Sequence, residues 1–85
     1  MPKEMIKFHH RQVVVNTYVD EELVKRDGFW FEEMIMIGST IAFIKEGKTI
    51  NVIELPDGIE LKKEEVFKNY YSLNIENKKI EIYFP

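Results

Sequence analysis

The chain has 85 residues, with twelve Lys and Arg against fifteen Asp and Glu, two His and no Cys, for a formal charge of -3. The absence of cysteine excludes disulfides, thiolate zinc sites and a thiol nucleophile, and the negative balance sets the overall field against phosphate backbones. A chain of this length supports one core, so a single domain over residues 1–85 is expected, burying about 60 to 65% of its unfolded surface. Its stability margin is then thin unless packing or self-association adds burial.

At the start, Met1-Pro2-Lys3-Glu4 runs into a short, interrupted apolar stretch and not into an export signal, so the mature chain is expected to begin there. No apolar run approaches the roughly 20 residues of a membrane-crossing helix, and a cytoplasmic address with no membrane association is the expectation. Val13-Val14-Val15-Asn16-Thr17-Tyr18-Val19 is β-branched and aromatic and reads as a strand that could reach back to Met5-Ile6-Lys7-Phe8. Asp20-Glu21-Glu22 then Lys25-Arg26 then Gly28 has the charge order of one or two helical turns, or of a structured loop.

From Phe29 to Lys45 the pattern is strongly β, as one bent strand or two, and Glu46-Gly47 turns it into Thr49 to Leu55 as a hairpin. Pro56-Asp57-Gly58 makes a second reversal into Ile59-Glu60-Leu61. Between Lys62 and Tyr70, Val66, Phe67 and Tyr70 fall on one side of two amphipathic helical turns. The chain closes on a hairpin, Tyr71 to Glu76 and Lys79 to Phe84, turning at Asn77-Lys78, with Tyr71, Leu73 and Ile75 sharing a face with Ile80, Ile82 and Phe84.

This succession predicts a mainly β fold with one or two short helical turns, a small antiparallel barrel. The run from Val52 through Leu55-Pro56-Asp57-Gly58 to Val66 resembles the strand-turn-strand and helical-turn segment of SH3-like barrels over under a fifth of the chain. That resemblance implies an SH3-like barrel first, with an OB-like barrel or a two-layer α+β sandwich as alternatives.

Catalytic chemistry finds little support. His9 and His10 on an extended segment point to opposite faces, which prevents both from ligating one metal. The acid pairs Glu21-Glu22, Glu32-Glu33 and Glu64-Glu65 do not converge as paired carboxylates must. Neither Ser39 nor Ser72 sits on a strand-to-helix elbow, and the four glycines are spaced for turns rather than for a phosphate loop. A non-enzymatic protein without cofactor or metal is expected.

The informative stretch is Phe29 to Ile37. Read as one strand, it carries Phe29, Phe31, Glu33, Ile35 and Ile37 on one face and Trp30, Glu32, Met34 and Met36 on the other, both largely apolar. A barrel covers one face, and Trp30, Met34 and Met36 are then expected to form a surface for a protein partner or a second copy of the chain. The expected function is a protein-interaction or regulatory module that self-associates, as a homodimer or larger homo-oligomer. The alternative is a nucleic-acid-binding barrel using Lys7, Arg11, Tyr18, Lys25 and Arg26, with tyrosines as stacking platforms.

Overall fold

Strong β-propensity and short turns produce an almost purely extended chain. The computed structural model describes residues 7–56 and 61–85, so the reversal expected at Pro56-Asp57-Gly58 and the strand expected at Ile59-Glu60 lie largely outside the described residues, as do Met5 and Ile6. Among the described residues eight strands follow in order: β1 (Arg11–Val19), β2 (Glu22–Phe31), β3 (Glu33–Ile37), β4 (Thr40–Lys45), β5 (Lys48–Glu54), β6 (Lys62–Lys63), β7 (Tyr70–Ile75) and β8 (Lys78–Tyr83). They form two antiparallel sheets, a five-stranded one in the order β2-β1-β8-β7-β6 and a three-stranded one in the order β3-β4-β5. Among the described residues no helix is long and apolar enough to cross a membrane.

Four of the connections are two-residue hairpin turns. Val19 pairs with Glu22, Ile37 with Thr40, Lys45 with Lys48 and Ile75 with Lys78. Such turns match the twist of the flanking strands when their central residues have positive φ, and Glu46 and Gly47 stand at φ 54° and 74°. The last hairpin turns at Glu76-Asn77, one residue before the Asn77-Lys78 turn that the sequence suggested, with Glu76 at φ 53°.

Both expected helical segments are strand or turn instead. Asp20 and Glu21 take φ 52° and 67° and close a hairpin, after which Glu22 to Phe31 pairs along the whole length of β1. The ladder outweighs the helix-like charge order, because a helix of two turns is marginal by itself. Lys62 and Lys63 pair with Ser72 and Tyr71, and the Glu64 amide donates to the Tyr70 carbonyl at 2.8 Å across a reversal at Asn69, φ 57°. Phe8 is in no strand; its ring stacks on Phe84 at 4.3 Å.

The core lies between the sheets. Val13, Phe31, Tyr71, Leu73, Ile80, Ile82 and Phe84 descend from the five-stranded sheet onto Met34, Ile41, Phe43, Ile53 and Leu55 of the three-stranded one. Phe43 sits at their centre, edge-on to Phe29 and Phe31 at 5.1 and 5.2 Å. The expected sharing of one face by Tyr71, Leu73, Ile80, Ile82 and Phe84 is what the register produces.

Glu32 carries the chain from β2 to β3 and so from one sheet to the other. It belongs to neither; its amide donates to the Ile44 carbonyl at 2.8 Å while its own carbonyl accepts from the His10 amide at 2.9 Å. Its carboxylate accepts from the Glu46 amide at 2.6 Å, holding the β4-β5 turn. Because this residue is inserted between β2 and β3, the alternation of side chains is reset there.

Candidate functional site

The reset at Glu32 decides which apolar side chains meet solvent. Phe29 and Phe31 point into the core before it, and Met34 and Met36 point into the same core after it. Met34 is 5% exposed, against 42% for Trp30. The expected surface of Trp30, Met34 and Met36 required one uninterrupted strand from 29 to 37, so the structure separates these residues: Trp30 stays outside, and the two methionines are packed inside. Trp30 instead neighbours the His10 ring at 5.9 Å and the Lys45 ammonium at 5.7 Å.

The outward residues of β3 are Glu33, Ile35 and Ile37, the two isoleucines 38% and 63% exposed. Ile35 lies opposite Ala42, which lies opposite Val52, while Ile37 lies opposite Thr40 and then Glu54. Ile44 stands opposite Glu33 and Thr49, and a bulge after Phe43 brings in exposed Ile50. The outer face of the three-stranded sheet is therefore an apolar surface of Ile35, Ile37, Ile44, Ile50 and Val52. Exposed Glu33, opposite Ile44, and exposed Glu54, opposite Thr40, lie at its borders.

The five-stranded sheet presents a different outer face. Glu81 on β8 faces Asn16 on β1 and Ser72 on β7. Its carboxylate accepts from the Tyr70 hydroxyl, from Asn16 Nδ2 at 3.4 Å and from Tyr18, with Lys79 Nζ at 3.5 Å. Burial alone would push this carboxyl up, but the three hydrogen bonds and the lysine charge outweigh burial and hold it below its ordinary value. Burial, the Glu81 hydrogen bond and the nearby carboxylate charges push the Tyr70 phenol up, and the Glu81 hydrogen bond, burial and its charge do the same to Tyr18. Ser72, nearly fully buried, donates to Glu64 Oε1 at 2.5 Å, which ties the segment before β7 over the sheet. A groove of about 370 Å³ remains there, lined by Val14, Asn16, Arg26, Phe67, Tyr70, Glu81 and Tyr83.

The basic residues named from the sequence are dispersed. Arg11 and Tyr18 lie at opposite ends of β1, roughly 23 Å apart at strand rise. Arg11 Nη2 donates to the Pro85 carbonyl at 3.1 Å and the guanidinium covers the Phe8 ring at 5.0 Å. Arg26 pairs with Asn16 and lines the groove, whereas Lys25, opposite Thr17, lines a separate cleft between the sheets with Asp27, Asn51 and Lys78. Lys7 is exposed beside His9, whose Nδ1 lies 2.8 Å from the Lys7 carbonyl. The rings of His9 and His10 stand 5.6 Å apart, and among the described residues no three His, Asp or Glu side chains come together as a metal site.

Sequence reasoning missed the Glu81 cluster. Its signal is the alternate face of the last hairpin, where Tyr70, Ser72 and Asn74 oppose Tyr83, Glu81 and Lys79, polar and aromatic at every second position. Comparison of the chain with protein-family models, with curated proteins and with solved structures finds no match.

Proposed function

We propose that this chain is a non-enzymatic cytoplasmic interaction module that self-associates through the outer face of its three-stranded sheet. The observation that carries this reading is the exposure of Ile35, Ile37, Ile50 and Val52 on one face with charges only at its borders. Contiguous apolar surface on a small domain marks interaction sites. A second copy is the occupant proposed because self-association adds the burial that a domain of 85 residues otherwise lacks. Under a two-fold axis both copies contribute the same apolar patch, as an isologous contact requires.

Three strands about 4.8 Å apart and about six residues long give a face of roughly 300 Å², well below the ~800 Å² per partner of a standard interface. A contact of that size belongs with small, transient interfaces. The module is read as a half-open barrel of the SH3-like kind. Within each sheet consecutive strands are neighbours, and β1 pairs with β8.

Sedimentation velocity across a thousandfold range of protein concentration tests the reading. A monomer that becomes a dimer with rising concentration, and remains a monomer as Ile37→Glu, supports it; a wild-type monomer throughout ends it. The nucleic-acid alternative, built on Lys7, Arg11, Tyr18, Lys25 and Arg26, needs these to act together despite their separation. Binding of a single-stranded oligonucleotide at low salt, steeply lost on adding salt, would favour it over self-association.

A further inference from the structure

Among the described residues the two sheets end in β2, β6, β3 and β5, and all but β3 are guarded against further pairing. β2 has a bulge at Val24 followed by the charges Lys25, Arg26 and Asp27. β5 has a bulge too, and the Asn51 side chain occupies its Val52 amide. β6 is only Lys62–Lys63. β3 is Glu33-Met34-Ile35-Met36-Ile37, with no Lys, Pro or bulge. Gly38-Ser39 is a two-residue loop, so Ile37 and Thr40 exchange the closing hydrogen bonds and Ile35 and Ala42 form the next bonded pair. The N–H and C=O of Met34 and Met36 therefore point away from β4. Among the described residues nothing bonds these groups, and a cleft of about 390 Å³, lined by Met34, Ile35 and Phe8-His9-His10 among others, opens beside the strand.

We propose that β3 pairs antiparallel with β3 of a second copy about a two-fold axis at Ile35, joining two three-stranded sheets into one of six strands. Met34-Ile35-Met36 reads the same in both directions, so Met34 of each copy stands opposite Met36 of the other, and each such pair exchanges both of its N–H···O bonds. Ile35 meets Ile35 across the axis, with Cα atoms about 4.5 Å apart. The edge pairing presupposes self-association through the three-stranded sheet and supplies the area that its face lacks. One face of roughly 300 Å² becomes a joined face of roughly 600 Å², near the ~800 Å² per partner of a standard interface. The associated form is then two edge-joined dimers stacked face on face. Glu33 falls opposite Ile37 at both ends, so Ile37→Glu sets like charges against each other there and blocks both contacts.

The test compares the full chain with Val52→Glu, which charges the outer face two strands away from β3 and so breaks the stacking alone. Sedimentation velocity is expected to show dimer and then tetramer for wild type as concentration rises, and dimer alone for Val52→Glu. In the associated forms the Met34 and Met36 amides exchange with solvent at least about 10-fold more slowly than in the dilute monomer. A mixture of isotope-labelled and unlabelled chains shows an NMR contact between the Ile35 Hα protons of two copies. The exchange and contact measurements on wild type decide the matter where Val52→Glu fails to fold. Val52→Glu that stays monomeric while wild type associates, or an oligomer whose Met34 and Met36 exchange is unchanged, overturns the edge pairing and leaves the face contact standing. A wild-type chain that is monomeric at every concentration ends self-association itself, and the edge pairing with it.

Discussion

Asn51 Nδ2 donates to Asp27 Oδ2 at 3.0 Å, a side-chain hydrogen bond that reaches from the edge of the three-stranded sheet to the edge of the five-stranded one. The same amide group accepts from the Val52 amide through Oδ1 at 2.8 Å, so one side chain both ties the sheets and occupies a backbone donor on an open edge. Exposed donors on edge strands recruit other chains. Asn51→Ala is expected to cost about 1 to 2 kcal/mol in denaturant unfolding and to raise the aggregation rate at high protein concentration. An unchanged unfolding midpoint would show that the link carries no stability.

Met34 and Ile35 are adjacent yet opposite in consequence. Met34 lies in the core, so Met34→Ala should destabilise by about 2 to 5 kcal/mol. Ile35 faces solvent, and Ile35→Ala should change monomer stability by less than about 1 kcal/mol while reducing self-association. Chemical denaturation of both variants decides it; equal losses would contradict the reset of alternation at Glu32.

The hairpin turn at Asp20-Glu21 holds both residues at positive φ, which costs an L-residue about 1 to 2 kcal/mol. Glu21→Gly relieves that strain against a higher entropy of the unfolded chain, for an expected net gain of about 0.5 to 1 kcal/mol. Loss of stability would indicate that the Glu21 side chain has a role beyond the turn.

Gly28, expected from its sequence context to end a helical segment, lies inside β2 opposite Val14. A Cβ there would meet the Val13 carbonyl and Val14 at 3.9 Å, ordinary contact distance, whereas Gly38 stands at φ 61°. Gly28→Ala should therefore stabilise by about 0.4 to 1 kcal/mol and Gly38→Ala should destabilise. Thermal melts of the pair make the comparison.

Glu81 links stability to pH. Its folded value lies below the ordinary 4.5, so its contribution is fully present above that value and is lost as the pH falls through the folded value. Glu81→Gln should flatten the acid limb of the stability curve, measured as unfolding midpoints between about pH 5 and pH 2. An identical acid limb in the variant would remove Glu81 as its source.

The β class, the hairpin at Glu46-Gly47 and the inward face of the last hairpin were legible because alternation and turn chemistry are local. The two helical segments were misread for the same reason. Asp20-Glu21-Glu22 has the composition of a helix start, and only the pairing of Val19 with Glu22 makes it a turn. The Glu81 cluster needed β1, β7 and β8 side by side, which no short window contains.

What the amino-acid order determined alone was that residues 29 to 37 would lie extended with apolar side chains on both sides. Which side became core was decided by contacts from far along the chain, where the His10 amide and the Ile44 carbonyl both bond the backbone of Glu32. A strand's period of two keeps its faces only while the ladder is unbroken. One residue held between two sheets reverses them, placing the methionines inside and the isoleucines at the surface.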